Sequence, residues 1–253
     1  MLPLPPQEPG HWLVALAINA VLIALAQRVP LLTSSGWAHA GLLGTLLWGS
    51  LGWRGWLAVV LYLALGSLVT RIGFRRKQQQ GLAEARGGRR GPENVWGSAL
   101  VGTVLALLVP LAPLAGRGLL LAGFAASFSA KLGDTFGSEI GKRWGRRTLL
   151  ITSLRPVPAG TEGAVSLEGT AASLAGSALM ALVMLALDLL SGWRDWLLVS
   201  LVGLVATLLE SLIGATLQRR SALLTNEVVN GLQTLLAALL AMLLLAWLAP
   251  PIG

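Results

Sequence analysis

The sequence predicts an all-α fold, a polytopic transmembrane helical bundle of about eight spans, and three observations carry that prediction. Apolar residues occupy 55% and charged residues 12% of the 253 positions, giving a mean hydropathy of +0.72, far more apolar surface than one soluble core can bury. The apolar residues also fall into runs close to the ~20 residues a helix needs to cross ~30 Å of hydrocarbon. Finally, the basic residues are divided very unequally between alternate connections, as membrane orientation requires. The absence of cysteine excludes disulfides, thiolate zinc sites and thiol catalysis. The net charge of +8 sits beside apolar runs rather than on a soluble surface, so no nucleic-acid partner is expected. The whole chain, 1–253, reads as one integral membrane domain.

The N-terminus, Met1 to Gly10, is proline-rich and lacks the positive n-region of a signal peptide, so the first apolar run is expected to be retained. The spans are expected at 12–28, 37–52, 55–72, 96–115, 117–136, 168–190, 196–217 and 227–249. The second is short and glycine-rich, and is read as tilted, re-entrant or partly broken. With both termini on the non-cytoplasmic side, fifteen basic residues share the other side: Arg28, Arg71, Arg75, Arg76, Lys77, Arg86, Arg89, Arg90, Lys142, Arg143, Arg146, Arg147, Arg155, Arg219 and Arg220. Only Arg54, Arg117 and Arg194 oppose them. That side faces the cytoplasm by the positive-inside rule, and it carries the two long connections, 73–95 and 142–167, where function is expected.

In the first connection, Arg86-Gly-Gly-Arg89-Arg90-Gly-Pro alternates flexible backbone with guanidinium groups, a pattern suited to phosphate oxygens. A solvated, lipid-touching loop explains much of the remaining charge. The second connection runs into Pro156-Val-Pro-Ala-Gly160-Thr161-Glu162-Gly163-Ala-Val-Ser166-Leu-Glu168-Gly-Thr170. Its glycines let backbone amides approach an anion near a helix N-terminus, although an ordinary capped helix entry accounts for one hydroxyl and one acid.

Between these connections, Lys131-Leu-Gly-Asp134-Thr-Phe-Gly-Ser138-Glu139-Ile-Gly-Lys142 places four charges at the end of an apolar span, where hydrocarbon makes them costly. At 100° per residue, Lys131, Asp134, Ser138 and Lys142 share an arc of roughly 80°, while Gly133, Gly137 and Gly141 form a neighbouring packing stripe. The segment is not a P-loop, because Gly137 to Gly141 is too short and Arg143 replaces the required Ser or Thr. Glu210 lies within the seventh span beside Ser211, where an acid needs a polar cavity or a partner. Asn226, Asn230 and Gln233 share a face at the start of the eighth, where interhelical hydrogen bonding is an equal alternative to a site role. Carboxylates for Mg²⁺ with cations and amides for phosphates are the minimal parts of phosphoryl transfer.

The blocks Thr70-Arg-Ile-Gly73, Gly87-Gly-Arg-Arg-Gly-Pro92, Ala126 to Lys142, Val157 to Thr170 and Leu224-Thr-Asn-Glu-Val-Val-Asn230 closely resemble the phytyl-phosphate kinase family of cyanobacteria and plastids, in order from about residue 36 to 248. The resemblance implies conversion of phytyl phosphate to phytyl diphosphate for tocopherol and prenylquinone synthesis, with a nucleoside triphosphate, CTP, as donor. It also implies a plasma or thylakoid membrane in a cyanobacterium-like source. Beside it, the chemistry assigns Asp134, Glu139 and Glu162 to Mg²⁺ and Lys131 to a phosphate. The Gly160–Gly163 loop with Thr161 covers the nucleotide, and Ser138, Lys142, Ser166, Glu168, Asn226 and Asn230 support it. Arg71, Lys77, Arg89 and Arg90 are expected to hold phosphates, although Arg71 stands where relatives often have Lys, which keeps charge but not geometry. Glu210 supplies intramembrane polar support. The alternatives are a lipid-phosphate or anion transporter without nucleotide turnover, motivated by intramembrane Lys131, Asp134 and Glu210, and a non-catalytic partner of prenylquinone enzymes.

Overall fold

The computed structural model describes residues 4, 5, 7–218, 221 and 223–248. Arg219, Arg220 and Ala249, which the sequence reading places in the seventh connection and at the end of the eighth span, lie outside the described residues. The helices are α1 (Pro9–Ala26), α2 (Ser34–Arg71), α3 (Phe74–Gln79), α4 (Pro92–Leu108), α5 (Leu114–Trp144), α6 (Leu167–Ala186), α7 (Trp193–Thr216) and α8 (Asn226–Leu248). A 3₁₀ turn spans Ala85–Gly88. The chain is an all-α membrane bundle, and among the described residues five helices (α1, α2, α6, α7 and α8) are long and apolar enough to cross a bilayer.

The second and third expected spans are the two arms of α2. The helix is interrupted at Gly52, whose φ of 71° and ψ of −166° only glycine adopts freely. There the chain doubles back, for the Trp48 and Trp56 rings meet edge to face with centroids 5.4 Å apart. At the other end of the hairpin, Arg71 donates to the carbonyl of Pro30. The short, glycine-rich first arm is thus a full helical arm rather than a broken one. Its glycines admit α1: Trp12 packs on Gly49, and buried Asn19 sits over Gly44 while accepting from Trp56 Nε1 at 2.9 Å.

The fourth span ends early, at Leu108, because Pro110 and Pro113 withhold the amides that a continuing helix needs. The fifth runs on to Trp144, well past the expected end at 136, with Lys142 and Arg143 complementing the dipole of its last turn. The 145–166 connection is not featureless. Leu149–Leu150 (β1) pairs antiparallel with Ala164–Val165 (β2), Leu149 opposite Val165, and this clasp returns the Gly160–Gly163 loop to the bundle.

α5 is the central helix and packs on α2, α4, α6, α7 and α8. The glycine stripe works as expected against α6. A Cβ on Gly133 would lie 2.8 Å from the Ser173 carbonyl, and one on Gly137 would collide with the Ser173 hydroxyl. Gly176 answers from α6, where a Cβ would lie 2.7 Å from Phe136. Close backbone approach of this kind takes the place of a hydrophobic driving force between helices in lipid. Gly137→Val is therefore expected to destabilise the bundle by roughly 1–3 kcal/mol through overpacking, read as a lowered thermal midpoint in detergent, with Gly116→Val, where a Cβ meets nothing within 4 Å, as the matched control.

Candidate active site

The 84–94 segment, the 148–170 segment and the polar stretches of α2, α5, α7 and α8 meet around a polar cavity of about 430 Å³. The polar face of α5 forms its floor: Lys131, Asp134, Thr135, Ser138, Glu139 and Lys142 all line it. The helical periodicity that puts the glycines on α6 puts these residues on the cavity, roughly a quarter-turn away.

Lys131 is almost wholly buried. Its Nζ is paired with the Asp134 carboxylate and donates to Asn230 Oδ1 of α8 at 2.8 Å, so a cation is held ready at the cavity floor. From the 82–91 segment, Glu84, Arg86, Arg89 and Arg90 enter the lining. Arg90 stacks over Tyr62 at 5.5 Å and donates to its hydroxyl at 3.4 Å. Its guanidinium fits only because Gly66 has no side chain, since a Cβ there would lie 2.7 Å from Nη2. Burial opposes ionisation of Glu84, but the Lys142 ammonium bonded to it at 3.3 Å, with Arg90 and Lys131 nearby, outweighs that cost and holds the carboxyl below its usual range.

The roof comes from the clasped 160–166 segment. Gly160 and Gly163 take φ values of +83° and +74°, and Gly163 is pressed so closely on α7 that a Cβ would lie 2.6 Å from the Ser211 carbonyl. Thr161 donates to the Pro158 carbonyl at 2.7 Å, closing the turn. Ser166 caps α6 by accepting from the Gly169 amide at 3.1 Å, so the helix cap and the cavity wall are the same residue. Glu162, Glu210, Asn226, Glu227 and Asn230 complete the wall. Glu227 accepts from Asn94 at 3.3 Å, Asn226 accepts from Gln218, and Gln233 one turn beyond Asn230 is buried against Thr207 and the Ala130 carbonyl.

The sequence-derived set therefore converges for Lys131, Asp134, Ser138, Glu139, Lys142, Gly160, Thr161, Glu162, Gly163, Ser166, Arg89, Arg90, Glu210, Asn226 and Asn230, all of which line this cavity. Three expected residues are elsewhere. Arg71 points to the Pro30 carbonyl and lines a different cavity. Glu168 lies in the first turn of α6, away from the lining, where it complements the dipole. Lys77 is fully buried, bonded to the Thr70 carbonyl at 2.9 Å and ion-paired with Glu139, so its charge is spent inside the protein rather than on a phosphate. Glu139 also has a second task beyond the expected one: one carboxylate oxygen anchors Lys77 of α3, while the other, 3.6 Å from Lys142, is buried without a hydrogen-bond partner. Tyr62, Glu84, Asn94 and Thr207 line the cavity without having been singled out. Of these, Glu84 alone had a signal, an acid isolated in a basic loop.

Among the described residues no three acids or histidines cluster as a preformed metal site. Mg²⁺ needs less, typically one or two carboxylates with phosphate oxygens and water completing its shell. Asp134 of the cavity floor and Glu162 of the 160–166 segment both line the cavity, and two carboxylates of this kind fit that requirement better than an all-protein cage.

A family model described as integral membrane protein DUF92 matches residues 17–238. An uncharacterized membrane protein of Synechocystis is 50% identical over 91% of this chain and 90% of its own length. The chloroplastic protein VTE6 of Arabidopsis thaliana is 40% identical over 92% of this chain and 72% of its own. An uncharacterized membrane protein of Methanocaldococcus jannaschii is 28% identical over 91% and 93%. No solved structure matches significantly.

Removing one member of a buried ion pair leaves the other charged and alone, at a cost of about 3–5 kcal/mol, whereas replacing both by apolar groups is often near neutral. Lys77→Met is accordingly expected to lower the thermal midpoint sharply, and Lys77→Met with Glu139→Leu to recover most of the loss.

Proposed function

The chain belongs to the DUF92 integral membrane family, and we propose that it is a membrane-bound prenyl-phosphate kinase, transferring the terminal phosphoryl group of CTP to phytyl phosphate to give phytyl diphosphate for tocopherol and prenylquinone synthesis. The observation that carries this reading is the cavity itself, in which Lys131, Arg89, Arg90 and Lys142 share one volume with Asp134 and Glu162 beneath a glycine-turned loop. The block-by-block resemblance to phytyl-phosphate kinases supports it, as does 40% identity to the chloroplastic protein of Arabidopsis. The cyanobacterial and chloroplastic relatives fit a plasma or thylakoid membrane, and the basic residues of the site end argue that it faces the cytoplasm.

The chemistry asks little covalent work of the protein. The acceptor oxygen of a monophosphate is already ionised, so no general base is required. The oxygen attacks the terminal phosphorus, a new P–O–P bridge forms, the bond to the donor's β-phosphate oxygen breaks, and the nucleoside diphosphate leaves. Catalysis then consists of alignment and charge stabilisation. Lys131, fixed by Asp134 and Asn230, presents a cation that costs no reorganisation at the moment of transfer. Arg90, wedged in the notch at Gly66, offers a planar fork suited to phosphate. The 160–163 turn supplies backbone close to the roof of the cavity, free of side-chain bulk at Gly160 and Gly163. Asp134 and Glu162 are the residues that would hold Mg²⁺, which would supply charge neutralisation to bound phosphates.

With Mg²⁺, CTP and phytyl phosphate in detergent, the protein is expected to form the diphosphate. Asp134→Asn should lower kcat per folded molecule by at least about 100-fold, as loss of a charge-stabilising group does, measured on the monodisperse fraction in detergent because the change also takes the carboxylate from Lys131. Wild-type turnover by that variant removes Asp134 from the site, and absence of diphosphate with any nucleoside triphosphate removes the kinase reading.

A further inference from the structure

A second cavity, of about 640 Å³, opens beside the first at the same end of the bundle, between the Pro30–Leu31 turn, the last turns of α2 and α3. Its character is the opposite. Pro30, Leu31, Phe74 and bare glycine backbone form its walls; among the described residues no acid lines it, and the charges on it are Arg71, Arg75 and Arg76, which are exposed. The two cavities have a common boundary, for Thr70 and Gly88 line both. That boundary is thin. Gly88 has a φ of +78° and no side chain, and a Cβ there would already lie 3.4 Å from Thr70 Cγ2 and 3.6 Å from the Phe74 ring. One turn before Thr70, Ser67 lines the apolar cavity with its hydroxyl buried and lacking a hydrogen-bond partner.

A polar, cation-lined volume joined edge to edge with an apolar one is complementary to an amphiphile with a compact anionic head and a single apolar chain. We infer that the second cavity seats the first part of the isoprenoid chain of the acceptor monophosphate, with its head group reaching the polar cavity past Thr70 and Gly88. The assignment rests on the kinase reading only for what happens to the head. The volume falls within the ~300–1,000 Å³ range of small-molecule sites. The open side allows the distal chain to continue into lipid, so chain length is read near the head and not at the far end. Arg71, Arg75 and Arg76 then lie at the mouth, where they attract an anionic amphiphile from the membrane surface. This gives Arg71 a place in substrate capture that its distance from the polar cavity denies it in catalysis. Ser67 offers one hydrogen bond where chain gives way to phosphate.

Binding separates this inference from turnover. The full chain in nanodiscs is titrated, by native mass spectrometry and without nucleotide, with phytyl monophosphate, with five-carbon dimethylallyl monophosphate, and with dioleoyl phosphatidic acid. Wild type is expected to prefer the phytyl over the dimethylallyl ester by more than about 100-fold, since each buried methylene contributes ~0.8 kcal/mol. Leu31→Trp, which fills the cavity, and independently Ser67→Leu, which narrows it, should each reduce that ratio by at least about ten-fold. The same collapse in a protein that makes no diphosphate keeps the cavity assignment and discards the kinase reading. A ratio unchanged in both variants overturns the assignment, and so does phosphatidic acid binding as tightly as phytyl monophosphate, which would make the cavity a seat for bulk lipid.

Discussion

Everything at the active end of this protein depends on the cost of placing charge in a membrane helix. α5 carries Lys131, Asp134, Glu139 and Lys142 at its end, and an uncompensated charge in a low-dielectric bundle costs several kcal/mol. The structure meets that cost twice over by different means. Lys131 and Asp134 compensate each other while facing a polar cavity. Glu139 instead draws Lys77 inward from α3 to complete burial. The same helix therefore bears one ion pair on the cavity floor and one that ties α3 to the cavity wall, and the second holds the shell around the first.

That division explains the glycines as well. A polar cavity at the end of a helical bundle requires neighbouring backbones to come close on the other faces, or lipid would enter. Gly133 and Gly137 bring α6 against α5, Gly203 brings α7 against Ser177 of α6, and Gly66 gives Arg90 its seat. Small residues thus perform two tasks here, sealing the helices together where no cation is wanted and making a notch where one is.

The bundle and much of the site were legible in the sequence because they rest on local rules. Span length, the one-sided basic residues and the 3.6-residue period sufficed to orient α5 and to separate its polar face from its packing stripe. The glycines at 160 and 163 were legible as places of close backbone approach, and their positive φ angles, which only glycine accepts without strain, came from the structure. What could not be read were pairings across sequence distance. Lys77 and Arg90 look alike as basic loop residues, yet one is buried in an ion pair with Glu139 and the other points into the cavity. Periodicity gives α5 a polar face but does not say which of its acids will be claimed by a cation arriving from another segment. The early end of α4 was present in Pro110 and Pro113, but the run of leucines around them masked it.

The 82–91 segment ties these elements together. In sequence it has the composition of a flexible loop, and in structure it is fixed at both ends. Arg90 exchanges backbone hydrogen bonds with Leu31 and Thr33, Arg86 pairs with Glu93, and Glu84 reaches Lys142. Between those ties, Arg86, Gly87 and Gly88 lie consecutively in the left-handed region, a conformation glycine takes at little cost and arginine does not. Strain at a non-glycine residue persists only where its surroundings hold it, and here the backbone bonds of Arg90 to Leu31 and Thr33 tie down the segment while Arg86 meets Glu93 at the surface. An ordered segment of this kind has already met part of the entropic cost of presenting its guanidinium groups to any ligand of the cavity. Arg90 is thus held on the cavity by Tyr62, and the loop that carries it is at once the wall of the polar cavity and the thin edge it shares with the apolar one.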